Sequence, residues 1–157
     1  RRRVDSRPYR LPDRCPSCNT ATVRPTDEVA LRCPNLSCPA QLRERILHFA
    51  SRDALDVDGL GTKLVDQLVD RKLVSRPSDL FSLDLATVSG LDRMSQKSGQ
   101  NLLDAIERAR DVPLSRLLYA LGIRHVGRRI ASAIALHVED LRVLRNCDLE
   151  NSRRFRT

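Results

Sequence analysis

Apolar residues recur every three to four positions over most of the chain after residue 40, which is the spacing of one face of an α-helix. The pattern predicts five helices, at 40–49, 62–69, 100–109, 114–121 and 131–137. Before residue 40, runs at 20–24 and 29–32 have the character of two short strands around a turn at 25–28. The fold class is therefore mostly α, with a short β-hairpin near the start and helices joined by hairpins after it.

The segment 57–63, VDGLGTK, ends one helical pattern and begins the next. Its two glycines allow positive φ and a tight turn, while Leu60 points into the joint between the helices. The following helix then presents unpaired amide groups, and the positive end of its dipole, at a corner without side chains. Such a corner favours an anionic oxygen, as in a phosphate.

The same arrangement recurs at 91–99 and 123–131, with steps of 34 and 32 residues. Three sets of positions correspond: Gly59, Arg93 and His125; Gly61, Ser95 and Gly127; and Lys63, Lys97 and Arg129. Each copy has a small residue at the hairpin exit and a cation two positions later. A cation in a first helical turn opposes the helix dipole, so its presence in all three copies favours a phosphate partner. Together with Arg124 and Arg128, these are the predicted phosphate contacts.

Four cysteines lie close together, in CPSC at 15–18 and CPNLSC at 33–38. Two thiolate pairs on short loops suit a tetrahedral Zn²⁺ bound by Cys15, Cys18, Cys33 and Cys38. Four sulfurs fill the coordination shell, so the predicted zinc is structural, and this short segment is expected to need it for folding. The alternative is two disulfides, which require an oxidising compartment. The unpaired Cys147 and the lack of a signal peptide favour a reducing one.

The net charge of +8 favours a polyanionic partner. Residues 1–52 carry 11 basic and 5 acidic residues, residues 53–100 carry 6 and 8, and residues 101–157 carry 11 and 7. The chain has three Phe, two Tyr and no Trp. Unpaired bases stack on aromatic faces, so this composition favours contact with the phosphate backbone instead. No segment has the length and apolarity of a membrane span.

The charge distribution also ranks the three hairpins. The first lies among Asp53, Asp56, Asp58 and Asp66 in the sequence, so its hold on phosphate is expected to be the weakest. The third combines Arg124, His125, Arg128 and Arg129 and is expected to contribute most. His125 would gain charge if it lay beside a phosphate, although a neutral hairpin residue is an equal alternative.

The chain contains, in this order, CPSC at 15–18, LRCPN at 31–35, CPAQ at 38–41, DVDGLG at 56–61, DLF at 79–81, GLDRM at 90–94, KS at 97–98 and LYALGIR at 118–124. This order of motifs resembles the zinc-finger and helix-hairpin-helix region of the bacterial NAD-dependent DNA ligase family. It implies a parent enzyme that seals nicks in duplex DNA with NAD⁺ and Mg²⁺, in replication and repair. This region would grip the duplex near the break, without regard to sequence.

The resemblance also implies a domain organisation. Residues 1–14 are expected to be a linker from a missing upstream domain, 15–50 the four-cysteine zinc finger, 51–146 a domain with three of the family's four hairpins, and 147–157 an irregular tail. The implied partners are nicked duplex DNA and the parent's adenylation and oligonucleotide-binding domains. The Lys-x-Asp-Gly motif of nucleotidyl transfer is missing, so this piece should be inactive alone. The expected location is the bacterial cytosol, at the nucleoid.

Two alternatives belong to other classes. Base-excision glycosylases and structure-specific nucleases also use such hairpins. A glycosylase would need a catalytic acid, for which only Glu139 and Asp140 are suitably placed in the sequence, and a nuclease would need clustered carboxylates. A protein-binding zinc ribbon with a helical adaptor would instead show no affinity for duplex DNA.

Overall fold

The computed structural model describes residues 11–26, 29–138 and 141–142. The chain divides into two compact units, Arg1–Leu42 and Arg43–Thr157. The predicted domain limits at residues 14, 50 and 146 stay predictions. The tail at 147–157, most of the linker at 1–14, and Cys147, Glu139 and Asp140 lie outside the described residues.

Helices account for nearly all the regular structure in the described residues. The α-helices are α1 (Pro39–Ala50), α2 (Thr62–Asp70), α3 (Leu85–Ser89), α4 (Gln96–Arg108), α5 (Leu114–Ala120) and α6 (Arg128–His137). Two 3₁₀ helices, Pro77–Ser82 and Ala109–Asp111, lie between them. The mostly α fold class is therefore confirmed. No described helix has the length and apolarity needed to cross a lipid bilayer.

In the first unit, the two predicted strands are reduced to isolated bridges. Val23 and Arg32 exchange both backbone hydrogen bonds at 2.8 Å, and Arg14 bridges Ala21. The predicted turn at 25–28 lies only partly within the described residues.

The helix limits after residue 42 agree with the sequence prediction for α2 and differ for α4 and α6. The sequence predicts a helix from residue 100, but α4 begins at Gln96. Gly99 does not end the hairpin, because it is buried inside α4, where a Cβ would lie 3.1 Å from Leu85 Cδ1. It permits close packing of α4 on α3. Helix α6 begins at Arg128, three residues before the predicted start at 131, because Gly127 is its N-cap.

The core of the second unit is formed by the apolar faces of its helices. Its most buried large side chains are Ile46, Val65, Leu68, Val74, Leu80, Val88, Leu102 and Val138. Phe49 of α1 meets Phe81 edge to face, with ring centroids 6.2 Å apart. The Arg116 side chain on α5 donates to the carbonyl oxygens of Ala54 and Arg52, both at 2.6 Å. These bonds fasten α5 to the segment that leads into the first hairpin.

The 3₁₀ helices and α3 are elements that hydrophobic periodicity does not predict, since each has six residues or fewer. Pro77–Ser82 is held by Asp79, whose carboxylate accepts hydrogen bonds from the backbone amides of Ser75 at 2.9 Å and Arg76 at 3.1 Å. The Ser75 hydroxyl donates to the same carboxylate at 2.8 Å. These bonds, led by the Ser75 amide, lower the pKa of Asp79 below its ordinary value.

Candidate metal centre and nucleic-acid interface

Four sulfur atoms converge in the first unit. The Sγ atoms of Cys15, Cys18, Cys33 and Cys38 all lie within 4.8 Å of one another. Two pairs are closer, with Cys15 and Cys38 at 3.8 Å and Cys18 and Cys33 at 3.4 Å. Four sulfurs about 2.3 Å from a tetrahedral zinc lie about 3.8 Å apart. None of these cysteines is in a disulfide, so the geometry fits one metal ion and not two cross-links.

Backbone turns hold the two cysteine pairs. Asn19 has a left-handed φ of 57°, which lets the chain reverse so that its amide donates to Cys15 O at 2.9 Å. On the second loop, the amide of Cys38 donates to Asn35 O at 3.1 Å. The Gln41 side chain donates to Cys33 O at 2.8 Å and to Asn35 O at 3.3 Å. Gln41 therefore ties this loop to the start of α1.

The thiols differ in how readily they lose a proton. The Thr20 hydroxyl, 3.3 Å from Cys18 Sγ, lowers the pKa of Cys18 to about 6. The Gln41 backbone amide lowers the pKa of Cys38. Burial acts the other way at Cys33 and raises its pKa to about 11. A metal binds the thiolate form, so metal binding at Cys33 must displace a proton that burial helps to retain.

Three copies of one turn lie at the predicted hairpins. Each turn has four residues, at 57–60, 91–94 and 123–126. The carbonyl oxygen of its first residue, which is apolar, accepts a hydrogen bond from the amide of its fourth residue, and its third residue has positive φ. The bonds run from Leu60 to Val57 at 3.5 Å, from Met94 to Leu91 at 3.1 Å, and from Val126 to Ile123 at 3.0 Å. The positive φ values are 85° at Gly59, 64° at Arg93 and 66° at His125. Positive φ at the third position is the mark of a type II turn.

Two positions after each left-handed residue comes the N-cap of the next helix, namely Gly61, Ser95 and Gly127. Gly61 and Gly127 have extended backbone and no side-chain cap. A Cβ added at either glycine would meet nothing within 4 Å. The first amides of α2 and α6 thus open onto a bare corner, as the sequence predicts for these two copies.

The second copy differs at this corner. Ser95 Oγ accepts from the Ser98 amide at 3.2 Å, and Ser98 Oγ accepts from the Ser95 amide at 2.8 Å. This reciprocal capping satisfies donors at the start of α4 that remain open at the starts of α2 and α6. The second hairpin therefore offers fewer free amides to an anion, although Arg93 and Lys97 are both exposed there.

The predicted cations occupy equivalent places. Lys63, Lys97 and Arg129 are each the second residue of their helix and are exposed. Arg128 is different, because its guanidinium lies 2.9 Å from Asp53 Oδ1. Arg124, Arg128, Arg129 and His125 share the exposed surface at the third hairpin. There Ile123 is 48% exposed, whereas its counterparts Val57 and Leu91 are buried, so the third turn packs less closely against the described part of the chain.

The acidic residues near the first hairpin have partners of their own. Asp66 pairs with Arg43 Nε at 2.8 Å. Asp53 pairs with Arg128, at the third hairpin. Asp58 Oδ1 accepts the amide of Gly59 at 2.9 Å, within the turn itself. The acidic residues expected to weaken phosphate binding at the first hairpin are thus partly neutralised, and Asp53 lies against Arg128 of the third hairpin.

One polar residue at this surface was not among the predicted site residues. Gln67 of α2 joins the backbone of Asp92 in the second turn. A polar residue on the outer side of an amphipathic helix gives no sequence signal that separates such a contact from exposure to solvent.

The four cysteines are the one group of potential metal ligands found in the described residues. In this part of the chain there is no carboxylate cluster of the kind that a nuclease needs.

Comparison with known proteins agrees with these two features. Residues 14–40 match the family described as the NAD-dependent DNA ligase C4 zinc finger domain, and residues 116–152 match the helix-hairpin-helix motif. A DNA ligase of Desulfosudis oleivorans is 49% identical over 135 residues, which cover 86% of this chain and 20% of that protein. A DNA ligase of Methylococcus capsulatus is 50% identical over 144 residues, covering 91% of this chain and 21% of that protein.

The chain thus spans about one fifth of the length of the curated relatives it matches. The similarity extends across both units, since it covers more of the chain than the zinc finger or the last hairpin alone. The four-sulfur centre, the helix-hairpin-helix geometry and the relatives at about 50% identity together identify this chain as a zinc-finger and helix-hairpin-helix region of the NAD-dependent DNA ligase family.

Proposed function

We propose that this chain is the part of an NAD-dependent DNA ligase that grips duplex DNA by its phosphate backbone, without regard to sequence, and so supports nick sealing in replication and repair. The observation that carries the proposal is the threefold turn with its left-handed residue, N-cap and following cation. A helix N-terminus with free amides suits a phosphate oxygen, and a neighbouring Lys or Arg adds a charge-assisted bond.

The proposed contacts are those predicted from the sequence: Gly59, Gly61, Lys63, Arg93, Ser95, Lys97, Arg124, His125, Gly127, Arg128 and Arg129. Backbone amides and cations can bind phosphate but carry little information about base sequence. Recognition through them is therefore expected to be indifferent to sequence. Aromatic side chains of the Phe, Tyr or Trp type, on which unpaired bases would stack, are absent from all eleven positions.

The zinc centre has a supporting role in this proposal. Cys15, Cys18, Cys33 and Cys38 would hold one Zn²⁺ in a closed shell, which leaves no position for water or substrate. The ion would fix the fold of the first unit and take no part in chemistry. Adenylation with NAD⁺ and Mg²⁺ would belong to other domains of the parent enzyme, which we place in the bacterial cytosol at the nucleoid.

The test is duplex binding by the 157-residue chain, followed by fluorescence anisotropy of labelled DNA. Duplexes of two unrelated sequences should bind with similar affinity, and a nicked duplex of either sequence should bind more tightly than the intact one. If three hairpins neutralise about three to six phosphates, the plot of log affinity against log salt concentration should have a slope of about −3 to −5. Tight binding to one sequence with a slope near zero would contradict the proposal. Incision of damaged, flapped or nicked duplex would favour a self-contained repair enzyme instead.

A further inference from the structure

The side chain of Gln67 connects the first two hairpins. Gln67 Nε2 donates to Asp92 O at 3.3 Å, and Gln67 Oε1 accepts from the Asp92 amide at 2.7 Å. Gln67 lies on α2, directly after the first hairpin, whereas Asp92 is the second residue of the second turn. A single amide group therefore satisfies both backbone groups of one turn residue, as a neighbouring strand would.

A neighbouring arginine strengthens the same connection. Arg71, one helical turn after Gln67, donates to Gly90 O at 3.0 Å and to Asp92 Oδ1 at 2.9 Å. Its second terminal nitrogen also lies 3.5 Å from Gln67 Oε1. Both side chains thus converge on the second turn, and the first hairpin cannot move relative to it without breaking several hydrogen bonds.

The connection lies under a groove between the two hairpins. Gly59, Gly61 and Lys63 line one side of the groove, and Arg93 and Met94 line the other, with Gln67 and Asp92 also in its wall. The groove thus brings together the bare corner of the first hairpin and the exposed left-handed Arg93 of the second. Two places where phosphate binding is proposed therefore face the same opening.

The equivalent position in the second copy lacks such a connection. Asn101 lies six residues after the N-cap Ser95, as Gln67 lies six residues after Gly61. Asn101 is exposed near Asp58 and Gly59 of the first hairpin, but its side chain has no hydrogen-bond partner within the described part of the chain. The repeat therefore supplies a matched position at which an amide can be removed without loss of a bond between hairpins.

We propose that Gln67 is a positioning residue for duplex binding: it holds the second hairpin against the first so that both contact the phosphates of one duplex at the same time. This inference rests on the proposed function. When two hairpins are held rigidly together, binding of the first to a phosphate places the second at a high effective concentration near its own phosphate, so the two weak contacts reinforce each other. When the support loosens, each hairpin binds separately and the gain from simultaneous contact is lost.

The experiment compares four forms of the chain: unsubstituted, Gln67→Met, Gln67→Glu and Asn101→Ala. Methionine keeps the length of the side chain and removes both bonds to Asp92. Glutamate can still accept from the Asp92 amide but cannot donate to its carbonyl oxygen. Binding to one nicked duplex is measured by anisotropy over a series of salt concentrations, and circular dichroism in the same buffers reports the folded fraction.

Gln67→Met should bind about three- to tenfold more weakly, and its salt slope should be shallower by about one to two, because fewer phosphates are contacted at once. Gln67→Glu should bind at least as weakly as Gln67→Met, because its carboxylate also adds negative charge to the wall of the groove. Asn101→Ala should match the unsubstituted chain. A reduced folded fraction lowers the apparent affinity but leaves the slope unchanged, so the slope separates positioning from stability.

Two results would overturn the inference while leaving duplex binding intact. One is a Gln67→Met variant with the affinity and slope of Asn101→Ala. The other is a loss of affinity with an unchanged slope, which would make Gln67 only a structural residue. Failure of the unsubstituted chain to bind duplex in a salt-dependent way would instead overturn the proposed function, and this inference with it.

Discussion

Replacing Gly127 by alanine should separate DNA binding from folding. Gly127 has φ −80° and ψ 177°, which any residue adopts, and a Cβ there would meet nothing within 4 Å. Alanine has fewer backbone conformations than glycine in the unfolded chain, so the substitution stabilises the folded state by about 0.4–1 kcal/mol. Alanine is a poorer N-cap than glycine by about the same amount. The free energy of unfolding should therefore change by less than about 0.5 kcal/mol.

Duplex binding should respond much more strongly. The added methyl group would stand at the corner where a phosphate oxygen is proposed to approach the first amides of α6. A hydrogen bond to a charged group contributes about 1.5–3 kcal/mol. Partial loss of one such contact, about 1–2 kcal/mol, corresponds to a roughly five- to thirtyfold larger dissociation constant, since about 1.4 kcal/mol is a factor of ten.

The assay pairs urea denaturation with anisotropy on the same preparation. Gly59→Ala is the matched control, because Gly59 has φ +85° and an alanine there is strained. That variant should lose about 1–2 kcal/mol of stability, whereas Gly127→Ala should keep the stability of the unsubstituted chain. Equal DNA affinity of Gly127→Ala and the unsubstituted chain, at unchanged stability, would refute phosphate binding at this corner.

Three further predictions concern other parts of the molecule. Cys33→Ser should abolish retention of one zinc by the chain in native mass spectrometry, because serine cannot supply the fourth thiolate; full zinc retention would show that the ion is held elsewhere. Arg128→Ala combined with Arg129→Ala should weaken duplex binding more than Lys63→Ala does, and the reverse order in anisotropy would make the ranking of the hairpins wrong. Asp79→Asn should lower the free energy of unfolding by about 1–2 kcal/mol at pH 7, since the carboxylate caps the 3₁₀ helix. Because the pKa of Asp79 is lowered in the folded chain, its contribution is complete above the ordinary carboxyl pKa and is lost as pH falls below it, so the two chains should converge in acid denaturation curves; a constant difference down to low pH would contradict this.

The sequence predicts the metal ligands and the three turns because each depends on local chemistry. Four cysteines at this spacing suit one tetrahedral metal ion, and the structure brings all four sulfurs together. Likewise, the correspondence of Gly59 with Arg93 and His125 is confirmed by their positive φ values. A type II turn imposes that conformation whichever residue occupies the position.

Other features depend on tertiary packing and could not be predicted in this way. Gly99 resembles the end of the second hairpin in the sequence, but it lies inside α4 and lets this helix pack against Leu85. The start of α4 is therefore set by Ser95 and Ser98, a capping pair without glycine. The bond between Gln67 and Asp92 spans 25 residues, and no local pattern indicates it.

The ion pair between Arg128 and Asp53 has a consequence for how DNA binding is measured. Each phosphate that a protein cation neutralises releases a condensed cation from the duplex, and the salt slope counts these ions. If Arg128 contacts a phosphate as proposed, it must leave Asp53 Oδ1, which lies 2.9 Å from its guanidinium, and Asp53 can then attract a cation from solution. The cation taken up by Asp53 offsets one of the cations released from the duplex. The slope will therefore undercount the phosphates touched by the third hairpin by about one, and Asp53→Asn will make it steeper by that amount.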